Sequence, residues 1–245
     1  MPEKTIGDPS IGLQEIGQMS LVAHLEDLRR RLIICCIAIV LTSSISYVYA
    51  AEILHLITAP AGKLYYMNPT EAFFAYIQIS VFTGFLVALP LLMFEIWTFL
   101  VPALTKQEQK ASILLVPLSV VLFFLGLAFS YYLALPAGIK FFLGFATEDL
   151  QPLFSLGQYL SFVISFLLPF GLVFELPLFI IILAKLGVIS SVFLVEKRKT
   201  MLVLAFVIGA VIAPTPDVFS QIMIAVPIIL LYEMSVIIVK YTLHK

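Results

Sequence analysis

An all-α polytopic membrane protein with six transmembrane helices is the fold class this sequence predicts, and three observations predict it. The 245 residues are 62% hydrophobic and only 12% charged, whereas soluble domains run at roughly 45–50% and about 25%. Charge-free runs occupy residues 32–51, 72–94, 111–139, 150–174, 200–216 and 218–232. About 20 mostly apolar residues cross a ~30 Å hydrocarbon core. No alternating barrel pattern accompanies these runs, and helices satisfy their own backbone groups in lipid. With a mean hydropathy of +1.11, the composition excludes a soluble enzyme, a nucleic-acid binder and a disordered chain.

The elements follow in chain order, from a polar tail at 1–18 into a single six-helix domain at 19–245. Residues 19–31 read as a short helix at the membrane surface leading into span one, 32–51. Arg29-Arg30-Arg31 ahead of an apolar run resembles a cleavable leader, but the run is span length, which favours a retained helix. Asn68-Pro69-Thr70-Glu71 reads as a helix start, with Asn68 as N-cap and Glu71 as reciprocal partner, opening span two at 73–101. Thr105-Lys106-Gln107-Glu108 and Ser155-Leu156-Gly157-Gln158 are similar starts for spans three, 111–135, and four, 159–184. Pro214-Thr215-Pro216 separates spans five, 200–213, and six, 218–239. Span five covers only about 21 Å. Such a short span thins the bilayer beside it, unless Lys197, Arg198 and Lys199 snorkel to rescue its length. Pro90, Pro117, Pro169, Pro177 and Pro227 each bend a span, which predicts a curved or cupped bundle.

Charge placement sets the orientation. With the N-terminus inside, twelve of the fourteen basic residues are cytoplasmic, and only Lys63 and Lys140 are outside. That predicts both termini in the cytoplasm.

Against this background each exception is a candidate. Glu175 lies deep in span four, where insertion scales put a charged residue at roughly +2.5–3.5 kcal/mol. It serves either a partner helix or an internal bond to a Ser, Thr or Gln. Glu95 and Glu233 lie near cytoplasmic span ends, and Trp97 beside Glu95 fits an aromatic belt. Glu26, Asp27 and Glu108 are acids on a basic face. They either receive guanidinium groups in bidentate pairs, or Glu26 and Asp27 pair with Arg30 and Arg31 while Glu108 caps its own helix. Asp217 suits the dipole at the start of span six, with Gln221 one turn on. Adjacent Cys35 and Cys36 read as packing residues, and three histidines make metal chemistry and cofactors unexpected. No catalytic dyad, phosphate loop or nucleophile motif is visible, so no enzyme is expected.

Several segments in order resemble the TatC family, the multispanning receptor of twin-arginine protein translocation. They are His24-Leu25-Glu26-Asp27-Leu28-Arg29-Arg30-Arg31-Leu32, Thr58-Ala59-Pro60, Trp97-Thr98-Phe99 with Pro102-Ala103-Leu104 and Glu108, and Phe174-Glu175-Leu176-Pro177. The last runs from Gly209 through Ala213-Pro214-Thr215-Pro216-Asp217 to Gln221. The resemblance implies a receptor for paired-arginine signal peptides in a bacterial-type inner membrane. It would work with single-span TatA and TatB, self-associate, and pass folded proteins on protonmotive force. It also implies a signal-peptide site of Asp27 and Glu108, supported by Phe99 and Arg29, with Glu26 a second candidate beside Asp27. The family usually has Glu where this chain has Asp27. Glu175 and Gln221 would be the intramembrane polar residues, and Asp217 and Pro60 would belong to the periplasmic face. A proton-coupled secondary transporter using Glu175 is the alternative, although no internal repeat supports it.

Overall fold

The computed structural model describes residues 9–100, 114–147, 149 and 151–243, almost all of them helical. Among these the only β pairing is an isolated bridge between Tyr65 and Ser155. Helix α1 (Pro9–Val48) is one element of 40 residues, so the expected surface helix at 19–31 is continuous with span one. Neither Gly nor Pro occurs from Gln18 to Val48, so nothing in the backbone interrupts it. Tyr49 breaks the helix, and α2 (Ala50–Thr58) leads into a 3₁₀ turn, Ala59–Ala61, that contains Pro60. Gly62 ends that turn at φ 75°, a conformation that a Cβ would strain. The orphan carbonyls at the end of α2 find tyrosines: Tyr131 donates to Leu56 O at 2.8 Å and Tyr159 to Ile57 O at 3.1 Å.

Helix α3 (Pro69–Leu100) starts where the Asn-Pro signal places it and carries Pro90 without breaking. Span three is α4 (Leu115–Phe129), a π turn at Ser130–Ala134 and α5 (Leu135–Leu143). The π turn precedes Pro136, which has no N–H to offer, and Leu135 N–H reaches back five residues to Ser130 O. The helix therefore extends past the expected end at 135. The expected start at Thr105–Glu108 lies outside the described residues. Span four divides into α6 (Leu156–Phe174) and α7 (Leu176–Lys185). Pro177 leaves the carbonyl of Val173 without its helical donor, and the chain breaks at Glu175 between them. Short α8 (Ser191–Glu196), α9 (Arg198–Ile212) and α10 (Val218–Leu243) complete the chain.

Among the described residues, five stretches are long and apolar enough to cross a membrane: α1, α3, α4 through α5, α6 with α7, and α10. Helix α9, the expected fifth span, has 15 residues, about 22 Å of helix. Helices α3, α4 and α6 pack on one another, and the other long helices join this group. Helix α1 lies on α3, α3 on α4 and α6, α10 on α6 and α7, and α9 on α10. This leaves α1 and α9 at the periphery, one against α3 and the other against α10. The interior is filled by fully buried Ile79, Phe123, Leu160, Phe166, Phe170 and Ile228. Glycine permits the closest approaches. A Cβ on Gly126 would sit 2.4 Å from the carbonyl oxygen of Phe170, and one on Gly84 would sit 2.3 Å from Ser43 Oγ.

Candidate functional site

The α1–α3 contact sets the site's geometry. Thr42 donates to the main-chain oxygen of Gly84 at 2.7 Å, where the missing Cβ lets the backbones close. Eleven residues separate Arg31 from Thr42, and eleven separate Gly84 from Glu95. On antiparallel helices that is about three turns back to the same face, so Arg31 and Glu95 meet. Arg31 Nη1 lies 2.8 Å from Glu95 Oε2, and Arg31 Nε lies 2.8 Å from Asp27 Oδ2. One turn outward, His24 stacks on Phe99 with centroids 4.3 Å apart. His24, Asp27 and Arg31 on α1 thus face Glu95 and Phe99 on α3 along one seam. Exposure rises along it, with side chains 12% exposed at Glu95, 20% at Arg31 and 43% at Asp27. The aspartate is the carboxylate most open to a partner.

Of the two i,i+4 pairs that spacing allows, the structure forms Asp27–Arg31. Glu26 and Arg29 are exposed and lie off the seam. Glu108 lies outside the described residues. Glu95, near the cytoplasmic end of its span as expected, is engaged by Arg31 from the neighbouring helix. Glu233 pairs with Arg198 at 2.7 Å, tying α10 to α9.

Beside the seam, toward the same end of α3, Trp97, Ser119 and Glu175 form a chain across three elements. Trp97 Nε1 donates to Ser119 Oγ at 2.7 Å, and Ser119 Oγ donates to Glu175 Oε2 at 2.8 Å. Trp97 is buried rather than set in an aromatic belt, because its N–H finds this internal acceptor. Glu175 Oε1 is buried with no hydrogen-bond partner among the described residues. Phe174 and Pro177, on either side of Glu175, line an apolar groove of about 490 Å³ with Leu118, Leu122, Pro227 and Leu231.

At the opposite end, Asp217 is the N-cap of α10. Its Oδ1 accepts from Ser220 N–H at 2.8 Å and its Oδ2 from the Thr215 hydroxyl. Burial pushes its carboxyl up, but the Thr215 hydroxyl and the Ser220 N–H outweigh that and hold it below the usual aspartate range. Gln221 Nε2 donates to Phe206 O at 2.9 Å, locking α10 to α9. Glu71 has a larger part than its sequence position suggested. Its Oε2 accepts from Met67 N–H at 2.7 Å, and its Oε1 from Gly157 N–H at 2.7 Å and from the Ser155 hydroxyl. One carboxylate therefore caps both α3 and α6. Ser155 does not cap its own helix by side chain, because its hydroxyl is turned to Glu71.

A helical membrane protein that crosses the bilayer many times, with its ionic side chains gathered at the ends of the helices, is the class these features define. The model of the Sec-independent protein translocase protein TatC matches residues 23–227, and the chain belongs to the TatC family. A TatC from Carboxydothermus hydrogenoformans is 40% identical over 231 residues, covering 93% of this chain and 95% of that protein. The TatC of Aquifex aeolicus is 40% identical over 235 residues, covering 93% and 97%. A crystal structure of a twin-arginine translocase receptor, TatC, superposes with a TM-score of 0.79 at 40% identity. It covers 89% of this chain and 98% of that one. The family is that of a translocase component rather than an enzyme, and the chain is a multi-pass membrane protein.

Proposed function

We propose that this chain is the signal-peptide receptor and core scaffold of a twin-arginine translocase in a bacterial-type cytoplasmic membrane. It passes folded proteins on protonmotive force. The observation that carries the reading is the open Asp27 carboxylate on the α1–α3 seam, at the end of the bundle where charge bias puts the cytoplasm. A planar guanidinium takes a carboxylate in two parallel hydrogen bonds, which a lysine cannot match. Asp27 and Glu108 receive the paired arginines. Phe99, packed on His24, gives the stem of one of them an apolar wall. Glu26 and Arg29 border the site from the exposed side of α1.

Single-span partners of the TatA and TatB type lie in the apolar groove beside Glu175, whose buried Oε1 accepts a hydrogen bond from a polar group on the partner helix. Asp217, Gln221 and Pro60 shape the periplasmic end, and further copies of this chain join the complex. Crosslinking to a paired-arginine signal peptide tests the receptor site. Asp27→Ala and Glu108→Ala each abolish the crosslink while membrane insertion survives. Undiminished crosslinking in both single variants and in the double overturns the assignment.

A further inference from the structure

The carboxylate offered to a signal peptide already holds a guanidinium of this chain. Arg31 bridges Asp27 and Glu95, its Nε on one and its Nη1 on the other, both at 2.8 Å. One positive charge between two carboxylates leaves the trio at net −1, so the cluster still attracts a cation. Asp27 and Glu95 differ in depth: the aspartate side chain is 43% exposed and the glutamate side chain 12%. Glu95 also presents its main-chain oxygen 3.5 Å from the same Nη1. Arg31 therefore has two anchors, an outer one that an incoming arginine can reach and an inner one that it cannot.

We propose that Arg31 is a resident stand-in for the signal arginine, which displaces it from Asp27 and drives it inward onto Glu95. This rests on the reading of Asp27 as a signal-peptide carboxylate and adds two residues to it. Arg31 sets the threshold that a ligand must exceed, and Glu95 is the retreat that spares Arg31 from being left unpaired. The exchange discriminates by geometry. A guanidinium replaces the fork-shaped partner that Asp27 gives up, whereas a lysine ammonium offers one point charge and leaves Asp27 less well satisfied than before. Either ligand has to meet the cost of removing Arg31, so that cost sets the threshold for both. Paired arginines are favoured over paired lysines by the forked hydrogen bonds that only a guanidinium gives Asp27.

The test measures binding of a fluorescent paired-arginine peptide, and of its paired-lysine counterpart, to the full chain in lipid nanodiscs. Arg31→Gln frees Asp27 and tightens binding of both peptides by about threefold or more. Glu95→Gln removes the retreat, leaves Arg31 on Asp27 and weakens binding. The double variant Arg31→Gln/Glu95→Gln has the wild-type net charge and still binds as tightly as Arg31→Gln. A double variant equal to wild type means that net charge alone explains the single effects, and overturns the proposal. Weaker binding in Arg31→Gln overturns it too, because Arg31 would then be orienting Asp27 rather than competing for it. If Arg31→Gln does not accumulate in membranes, Arg31→Lys, which keeps the charge but loses the bridging fork, carries the same expected sign; unchanged affinity there overturns the proposal. Asp27→Ala separates the two levels. Undiminished binding in that variant removes the receptor reading itself, while lost binding together with a wild-type double variant removes only the role of Arg31 and Glu95.

Discussion

Asp217 shows how much one side chain does at the ends of these helices. It closes the first turn of α10, accepts from the Ser220 N–H and takes the Thr215 hydroxyl on its other oxygen. Removing an N-cap carboxylate costs about 1 kcal/mol, so Asp217→Ala lowers the unfolding temperature of the purified protein by a few degrees. The folded carboxyl lies below the usual aspartate range. Its stabilisation is therefore complete above the ordinary value of about 3.9 and fades as pH falls through the depressed folded value. Thermal melts from neutral pH downward check this: the advantage of wild type over Asp217→Asn is constant above about pH 5 and shrinks below about pH 4. Asp217 was legible after Pro216 as a negative charge that suits the dipole of α10, whereas its capping bonds to Ser220 and Thr215 were not. The two-helix cap of Glu71 was not, because its second set of donors, Ser155 and Gly157, lies more than eighty residues away in sequence. Arg31 was legible as an i,i+4 partner of Asp27, while its bond to Glu95 depends on the register of two helices. No local pattern encodes that register.

At the scale of the element, the starts of α3, α6 and α10 could be read from Asn68-Pro69, Ser155 and Asp217, since caps and prolines are local chemistry. The division of span four at Glu175 follows from Pro177 in the same way. Two features escaped the reading. The helix through 19–31 continues into span one because polar residues at i,i+4 spacing support a helix as well as apolar ones do. The π turn at Ser130–Ala134 shifts every later side chain of span three around the axis, which a count of apolar residues does not register. Helix pairs also depend on glycine where backbones nearly touch. The neighbour of Gly126 is the carbonyl of Phe170, which cannot rotate away as a side chain would. Gly126→Ala should therefore force α4 from α6 and cost about 1–3 kcal/mol. A thermal-shift measurement in detergent reads the loss, and an unchanged midpoint would mean that the helices separate freely.

Among the described residues the two peripheral helices, α1 and α9, are unlike. Helix α1 buries little beyond its seam with α3, and Ile37, Val40, Leu41 and Ile45 are exposed along its length. Helix α9 is too short to match its neighbour α10, 15 residues against 26. A nitroxide at Val40 should collide freely with dissolved oxygen in lipid when the chain is isolated, whereas one at buried Ile79 should not. Protection of Val40 in the assembled complex would identify α1 as an interface, and unchanged collision rates would leave it facing lipid. The five long spans were legible from composition because lipid demands continuous apolar helices, whereas the expected fifth of six, α9, falls short of span length. The lateral order of the spans was not legible, because every face is apolar. The Thr42–Gly84 contact lies eleven residues beyond Arg31 and six short of the outer end of α1. Backbones this close cannot slide past each other, but they can pivot. The two helices are joined like the blades of scissors, and the bond that holds one tip is Arg31–Glu95, since Asp27 lies on the same helix as Arg31. A signal received on one side of the membrane would then reach the other side as rotation about this rivet rather than as a shift along it.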